Sequence, residues 1–343
     1  MNIVCFCTLS TGLLQIDHAI RQGVKIDKII GLNPEMVKDS EKISGYVDIS
    51  NFCIKNKIDY SLIDEYSLKN ITPETLIDKN SLIWVNAWQR LIPKSYIDYS
   101  DIGVIGAHGS CDGITKGRGR SPQNWAILIG AKKFEISLFR IQEGIDNGAV
   151  ITTESFDLEP SDTILISYFK SGIACAEGMK KIYMNRELIE NAKVQTENPA
   201  YFPKRTPEDS FIDWSMSSED IYNQIRALSE PYPNARTKLD DQTLYINKSS
   251  KLDYKNAGAP GEIVYIFPSR EMIVACGDGA LLLQDFKFDS NISDDILGVG
   301  KVFKSYDMSK IVNNILIRFN EEFPGKELNN SLINFWKSRG YIL

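Results

Sequence analysis

Hydrophobic and polar positions alternate between two patterns over the first 155 residues: short apolar runs and longer amphipathic segments. The runs "NIVCFC", "KIDKIIGL", "SLIWVNAW" and "IGVIGAH" are continuous enough to predict buried strands. Residues 11–23 carry a stripe of leucine and isoleucine that predicts a helix, and residues 41–56 predict another. Continuous apolar strands separated by helices favour an α/β, Rossmann-like, mostly parallel sheet with helices on both faces.

The pattern changes beyond residue 155. A helix is predicted from Ser161 or Thr163 to about Asn191, and the proline-containing stretch "TENPAYFPKRTPEDSFIDW" predicts a linker. "SEDIYNQIRAL" predicts a short helix with Ser218 as its cap, and three short strand patterns follow up to residue 286. These strands are typical of a small β-barrel, OB-like in type. We therefore expect a first domain over 1–200, a linker and OB-like C-terminal domain over 201–290, and a helical appendage over 291–343.

Length, charge and composition exclude several kinds of function for this chain. The chain has 343 residues, too many for one ordinary core, and its net charge of −6 argues against nucleic acid as a partner. No apolar run is long enough to span a membrane, and the N-terminus predicts a strand, not a signal peptide. The six cysteines lack zinc-ligand spacing. These features predict a reduced, cytoplasmic protein with no bound metal.

Candidate chemistry centres on one of the two histidines. His108 lies in "GAHGS", directly after an apolar run, and Asp146 lies in "EGIDNGAVI". Parallel sheets bind ligands beyond the carboxyl ends of their strands, where both segments are expected. An imidazole oriented by a carboxylate is typical of acyl-group transfer. The alternative is a packed or solvent-facing histidine and an ordinary turn aspartate before Asn-Gly.

The combined motif "HGS…RGRSPQNWAILIG…SLFRIQEGIDNGAVI" resembles the N10-formyltetrahydrofolate-dependent formyltransferase family. Upstream, "AWQRLIP" resembles the strand-end segment that helps to hold the folate in that family. Downstream, "YFPKRTPEDSFIDW…IRALSEPYPNA" resembles the junction and C-terminal domain of methionyl-tRNA formyltransferases and some sugar formyltransferases. The resemblance covers roughly residues 80 to 290 and implies that residues 1–200 form the formyltransferase catalytic domain.

The resemblance implies transfer of a formyl group from N10-formyltetrahydrofolate, the co-substrate, to a primary amine. His108 matches the catalytic histidine, as general base or donor to the oxyanion, and Asp146 matches the aspartate that sets its protonation. The folate-binding residues expected from the resemblance are Arg90, Leu91, Ile92, Gln142, Glu143, Gly144, Ile145 and Asp146. Those expected to bind the acceptor or shape its cleft are Ser110, Arg118, Arg120 and Asn124.

The sequence departs from the family pattern two residues before the histidine. Gly106 stands where the family has an asparagine whose amide supports the oxyanion. Three interpretations are open: another amide, Asn86 or Asn124, replaces it; backbone N–H groups or water replace it; or the enzyme is impaired. Asn86 ends the adjacent predicted strand and is the favoured catalytic replacement, although an ordinary strand-end polar residue is an equal alternative.

The acceptor predicted from these motifs is a nucleotide-linked amino sugar used for a surface glycan or a glycosylated surface protein. The "HGS" and "RGRSPQNW" segments resemble sugar-nucleotide N-formyltransferases, and the acidic chain agrees because tRNA binding favours a basic surface. The alternative acceptor is methionyl-tRNA. A second alternative is a non-catalytic folate- or sugar-binding homologue. A homodimer is left open, as is the role of residues 291–343.

Overall fold

The computed structural model describes residues 1–39, 43, 45–255, 257–289 and 296–343. The chain forms two compact units that interleave along the sequence. Unit 1 consists of residues 1–115, 135–156 and 168–198, and unit 2 consists of residues 116–134, 157–167 and 199–343. Residues 116–134, downstream of the histidine motif, therefore belong to unit 2, while the segment that carries Asp146 returns to unit 1.

Within the described ranges, fifteen strands and eleven α-helices are numbered in chain order. The strands are β1 (Asn2–Cys7), β2 (Lys28–Leu32), β3 (Asp59–Ile63), β4 (Ser81–Asn86), β5 (Gly103–Ser110), β6 (Arg118–Gly119), β7 (Lys133–Arg140), β8 (Val150–Asp157), β9 (Ala200–Phe202), β10 (Ala235–Leu239), β11 (Gln242–Leu252), β12 (Ile263–Ile266), β13 (Met272–Ala275), β14 (Ala280–Phe288) and β15 (Glu327–Leu328). The helices are α1 (Ser10–Arg21), α2 (Pro34–Asp39), α3 (Ser50–Asn56), α4 (Lys94–Tyr99), α5 (Gly113–Lys116), α6 (Pro122–Leu128), α7 (Ile164–Met184), α8 (Glu187–Glu190), α9 (Ser218–Ala227), α10 (Met308–Glu322) and α11 (Asn330–Ser338).

A seven-stranded sheet with the order β3-β2-β1-β4-β5-β7-β8 dominates unit 1. The first five strands of this order pair in parallel, and β5 pairs with β7 antiparallel. The predicted α/β fold with a mostly parallel sheet is thus confirmed. The strand order reverses direction between β1 and β4, which is where open sheets of this kind hold ligands.

Aromatic packing and a close approach of helix α1 to strand β4 hold this sheet in place. The Phe6 ring meets Trp88 and Tyr96 edge to face, at centroid distances of 5.5 and 5.9 Å. Helix α1 packs on β1 and β4. A Cβ at Gly12 would lie 2.4 Å from the main-chain oxygen of Asn86, so only glycine allows α1 to approach the end of β4 this closely.

An antiparallel sheet with the order β10-β11-β14-β13-β12 forms the C-terminal part of unit 2. The predicted separate β structure is confirmed. Isolated bridges pair Lys304 with Lys238 of β10, and Val302 with Glu262 beside β12. The segment 302–304 therefore joins the two edges of the sheet, which removes exposed edge groups. The OB-like character of this sheet stays a prediction.

A second, three-stranded sheet in unit 2 has the order β15-β9-β6, with parallel pairing. None of its three strands was predicted: β6 lies in the polar segment after the histidine motif, β9 in the proposed linker, and β15 in the proposed helical appendage. Helices α10 and α11 agree with the helical prediction for residues 291–343, of which 291–295 lie outside the described residues. Arg318 pairs with Asp209, and Arg339 with Asp220, so both helices are tied into unit 2 by ion pairs.

Several predicted boundaries were wrong. The helix predicted over 41–56 is present only as α3, because the Asp48 carboxylate accepts from the Ser50 N–H and starts the helix there; 41, 42 and 44 lie outside the described residues. The helix predicted to reach Asn191 ends at Met184, since the Asn185 side chain caps the separate helix α8. Ser217, not Ser218, caps α9. No helix within the described ranges is long and apolar enough to span a bilayer.

Candidate active site

His108 lies inside strand β5 and not in a loop beyond it. Pairing of β5 with β4 ends at Ile105, opposite Trp84, but β5 continues to Ser110 along its antiparallel partner β7. The expectation that residues 106–110 follow the strand was therefore wrong, because β7 prolongs the sheet at this edge. The prolonged strand still carries His108, opposite Ser137, past the carboxyl end of the parallel ladder.

The loop between β7 and β8 presents Asp146. The Arg140 N–H donates to the Ala149 carbonyl at 2.9 Å and closes the loop. A Cβ at Gly148 would lie 1.6 Å from the Arg140 oxygen, so this closure requires glycine. Within the loop, the Asn147 amide donates to the Glu143 carbonyl, and the Gln142 amide donates to the Asn147 carbonyl. This network bends the chain so that Asp146 adopts a left-handed conformation, with φ of +48°.

The structure brings His108 and Asp146 together. Nδ1 of His108 lies 3.2 Å from Oδ2 of Asp146, and the two side chains are 11% and 24% exposed. A carboxylate at Nδ1 orients the ring and leaves acid–base chemistry to Nε2. The expected proximity is met, while the catalytic roles of both residues stay predictions.

The space beside Gly106 is filled by apolar side chains. An ideal Cβ on Gly106 would lie 3.0 Å from Cδ1 of Ile141 and 3.5 Å from the ring of Phe139. Ile141 therefore occupies the position into which a residue-106 side chain would project. The sequence did not predict a role for Ile141, because Ile141 is brought next to Gly106 only by the antiparallel pairing of β5 with β7.

The two amides considered as replacements are engaged in packing contacts. Asn86 ends β4 as expected, but it is fully buried and its Nδ2 donates to Oε1 of Gln15 on α1 at 3.2 Å. Its Oδ1 has no hydrogen-bond partner among the described residues. Asn124 is also buried, and its Nδ2 donates to the Ala227 carbonyl at 2.8 Å, which ties α6 to α9 within unit 2. Both amides thus hold helices in place in this structure.

The residues expected to contact folate differ in exposure. Leu91 and Ile145 are exposed, at 78% and 55%, and the Arg90 guanidinium lies 4.9 Å above the Tyr66 ring. Ile92 is 8% exposed and belongs to the core cluster with Trp88 and Tyr96. The expected part of Ile92 in folate binding stays a prediction. The other members of the expected set, Gln142, Glu143 and Gly144, are exposed in the Asp146 loop.

The residues expected to bind the acceptor divide between the units. Ser110 belongs to unit 1, is buried, and accepts the Asp112 N–H through its hydroxyl at 3.0 Å. Arg118, Arg120 and Asn124 belong to unit 2. Arg118 is buried in β6, and the exposed Arg120 pairs with Glu322 at 3.3 Å. The expected roles of Ser110 and Arg118 toward an acceptor stay predictions.

The remaining titratable groups do not form a second catalytic cluster in the described part of the chain. His18 packs its ring against Phe169 at 5.4 Å, away from any carboxylate ion pair. The described cysteines are unpaired, and burial raises the pKa of the thiols of Cys7, Cys53 and Cys175 to about 12. No group of three His, Cys, Asp or Glu suited to a metal occurs in the described ranges.

Family models match both parts of the chain. The formyl transferase model matches residues 56–168, and the formyl transferase C-terminal domain model matches residues 204–294, together more than half of the chain. The chain belongs to the formyl transferase family. The family resemblance seen in the sequence is thereby confirmed.

The relatives of this chain include proteins of different kinds. The chain is 27% identical to the bifunctional polymyxin resistance protein ArnA of Wigglesworthia glossinidia brevipalpis, over 98% of this chain and 52% of that protein. It is also 27% identical to the methionyl-tRNA formyltransferase of Bacillus subtilis, over 78% of this chain and 84% of that enzyme. The chain thus spans about half the length of its ArnA relative.

Solved structures share the fold. HypX from Aquifex aeolicus superposes with a TM-score of 0.60 at 15% identity, over 96% of this chain and 48% of that one. The N-formyltransferase from Helicobacter canadensis, solved with folinic acid and dTDP-3-aminofucose, gives 0.52 at 17% identity, over 83% of this chain and 99% of that one. These likenesses support the fold assignment.

Proposed function

We propose that this protein transfers a formyl group from N10-formyltetrahydrofolate to the primary amine of a nucleotide-linked amino sugar. The observation that carries the proposal is the 3.2 Å pairing of His108 with Asp146 past the carboxyl end of the parallel ladder. This position is where sheets of this class bind their substrates. Membership in the formyl transferase family supplies the reaction type.

His108 and Asp146 perform the acid–base part of the proposed reaction. The amine attacks the formyl carbon, its nitrogen loses a proton, and the carbonyl oxygen becomes negative in the transition state. His108 accepts the amine proton or donates a hydrogen bond to that oxygen through Nε2, while Asp146 holds Nδ1 and balances the developing positive charge. The formyl carbon then releases the folate nitrogen, which takes up a proton.

Exposed apolar side chains support a folate as the donor. Leu91 and Ile145 are among the large hydrophobic residues that remain exposed in unit 1, and both lie in segments expected to meet the folate. An apolar side chain left in solvent favours contact with a flat ring system, because that contact removes apolar surface from water. Arg90 precedes Leu91 in the chain, and its guanidinium is proposed to bind a carboxylate of the folate.

The net charge of −6 supports a sugar nucleotide over a tRNA acceptor. A tRNA-binding enzyme gains affinity by neutralising phosphates with clustered lysine and arginine. The structure of the Helicobacter canadensis relative with dTDP-3-aminofucose provides a precedent for an amino-sugar acceptor on this fold.

An acceptor screen tests the proposal directly. The purified protein is incubated with N10-formyltetrahydrofolate and each of a panel of UDP-, dTDP-, GDP- and CMP-linked amino sugars, and mass spectrometry detects the gain of one formyl group. We expect formylation of at least one amino sugar and none of charged initiator methionyl-tRNA. Formylation of the tRNA, with affinity that falls strongly as salt is raised, would show that tRNA and not an amino sugar is the acceptor. Folate binding with no transfer to any acceptor would favour the non-catalytic alternative.

A further inference from the structure

One side chain outside the motif, Gln195, holds the loop that carries Asp146. Its amide nitrogen Nε2 donates to the main-chain carbonyl of Asp146 at 2.9 Å and to that of Gly148 at 2.8 Å. Its amide oxygen Oε1 accepts the hydroxyl of Thr115 at 2.8 Å. All four residues belong to unit 1. Gln195 therefore links the segment after β5, which carries His108, to the loop that presents Asp146.

The main chain beside Gln195 is anchored independently. Lys193 and Val150 exchange two main-chain hydrogen bonds, of 2.8 and 2.7 Å, at the start of β8. Gln195 follows two residues later, so its side chain starts from a fixed point next to the sheet. Because the main chain near Gln195 is held in this way, the side-chain amide can keep the loop in one conformation by donating hydrogen bonds to two main-chain carbonyls at the same time.

The loop needs such support because Asp146 is strained. Its φ of +48° lies in the left-handed region, which costs energy for a residue with a Cβ. The distance from Asp146 Oδ2 to His108 Nδ1, 3.2 Å, is already longer than a typical charge-assisted hydrogen bond. Relaxation of the backbone by a few tenths of an ångström would therefore separate the carboxylate from the ring.

We propose that Gln195 is a positioning residue: its amide holds the Asp146 and Gly148 carbonyls so that the Asp146 carboxylate stays paired with His108. This inference rests on the proposed function for its catalytic consequence, but the positioning itself is measurable without an acceptor. In this role Gln195 acts on the reaction through Asp146.

The imidazole nitrogen spectrum tests the positioning. The chain has two histidines, so the ¹⁵N signals of His108 are assigned by comparison with the His108→Ala variant. We expect Gln195→Met, which removes the amide at similar length, to shift the His108 ring signals in the direction seen in Asp146→Asn, with the His18 signals unchanged. Asn56→Ala is the matched control, because that amide also donates to a main-chain carbonyl, Phe52, in unit 1; it should move neither histidine.

A kinetic cycle tests the consequence. Gln195→Met should lower kcat by between about tenfold and a hundredfold, with little change in KM for the folate, and should cause no further loss in an Asp146→Asn background. Thr115→Val, which removes only the hydroxyl that supports Gln195, should give a smaller loss in the same direction. If Gln195→Met does not fold, both the ¹⁵N spectra and the kinetics are measured on Thr115→Val instead.

The outcomes separate this inference from the proposed function. Unshifted His108 signals in folded Gln195→Met, or an equal kcat loss with and without the Asp146 carboxylate, would overturn the positioning role. A wild-type protein that formylates no amine while Gln195→Met still shifts His108 would overturn the proposed function and leave the positioning role standing.

Discussion

Pairs between a nitrogen-containing side chain and a carboxylate differ in geometry between the two units of the described chain. In unit 2, Arg339 grips Asp220 with two hydrogen bonds of 2.6 and 2.9 Å, and the Asp220 side chain is 3% exposed. Arg318 holds Asp209 through one nitrogen, Nη2, which donates to both carboxylate oxygens at 2.6 and 2.7 Å. In unit 1, His108 and Asp146 approach to 3.2 Å, and Asp146 is 24% exposed.

The difference separates a structural pair from a candidate catalytic one. A bidentate guanidinium–carboxylate pair commits both partners, and the hydrogen bond to Asp220 raises the pKa of Arg339 above its usual value. The His108–Asp146 pair is longer, and its carboxylate is more exposed, with a left-handed Asp146 backbone. An unusual backbone conformation beside a partly exposed pair is typical of functional sites. We therefore expect disruption of the first kind to cost stability and disruption of the second to cost turnover.

The largest effect is expected from His108→Ala. Loss of the imidazole removes general-base catalysis or oxyanion support, so turnover should fall by about a thousandfold or more, with folate affinity nearly intact. Steady-state transfer kinetics and folate titration measure the two quantities. His18→Ala, which removes the other imidazole from its contact with Phe169, is the control and should keep its turnover. A His108→Ala enzyme that retains turnover would leave the His108–Asp146 pair without a catalytic role.

Arg339→Met should lower the free energy of unfolding by about 2 kcal/mol, because it leaves the buried Asp220 carboxylate without its partner; solvent around the 40% exposed Arg339 keeps the loss moderate. Denaturant unfolding measures this loss. Arg21→Met is the matched control, since Arg21 pairs with Asp17 on the surface and is 71% exposed. Equal losses from the two variants would contradict a special structural role for the Asp220 pair.

A smaller effect is expected from restoring the family asparagine. Gly106→Asn should lower turnover by about tenfold, because its Cβ would press on Ile141 and shift the strand that carries His108. Adding Ile141→Ala provides the missing space, so the double variant should exceed Gly106→Asn in turnover. A gain in turnover from Gly106→Asn alone would show that this space is open to an amide.

The strands that could be predicted from the sequence are those whose residues are mostly buried on both faces of the sheet. Strands β1, β2, β4 and β5 are continuous apolar runs, and such runs predict buried parallel strands without knowledge of their partners. Strand β3 lies at the edge of the sheet and has a mixed pattern that periodicity does not distinguish from a loop. Strands β6, β9 and β15 have only two or three residues each, and they exist because tertiary pairing joins distant segments.

The site was predictable only in part. His108 and Asp146 stand out because their residue types and spacing fit a known chemistry, and the structure brings them together. Ile141 and Gln195 carry no such signal. The role of Ile141 depends on which side chain faces Gly106, and Gln195 reaches a loop 49 positions earlier in the chain. Interactions of this kind follow from the folded geometry and have no local sequence pattern.

The most direct test of the central claim, that His108 and Asp146 act as one catalytic unit, is a double-mutant cycle on the rate of formyl transfer. Asp146→Asn should lower turnover by about a hundredfold in the wild-type background, because the ring loses its orienting carboxylate. In the His108→Ala background the same substitution should have almost no effect, since residues that act as a unit are strongly non-additive. An equal loss in both backgrounds would contradict the claim and assign Asp146 a role independent of His108.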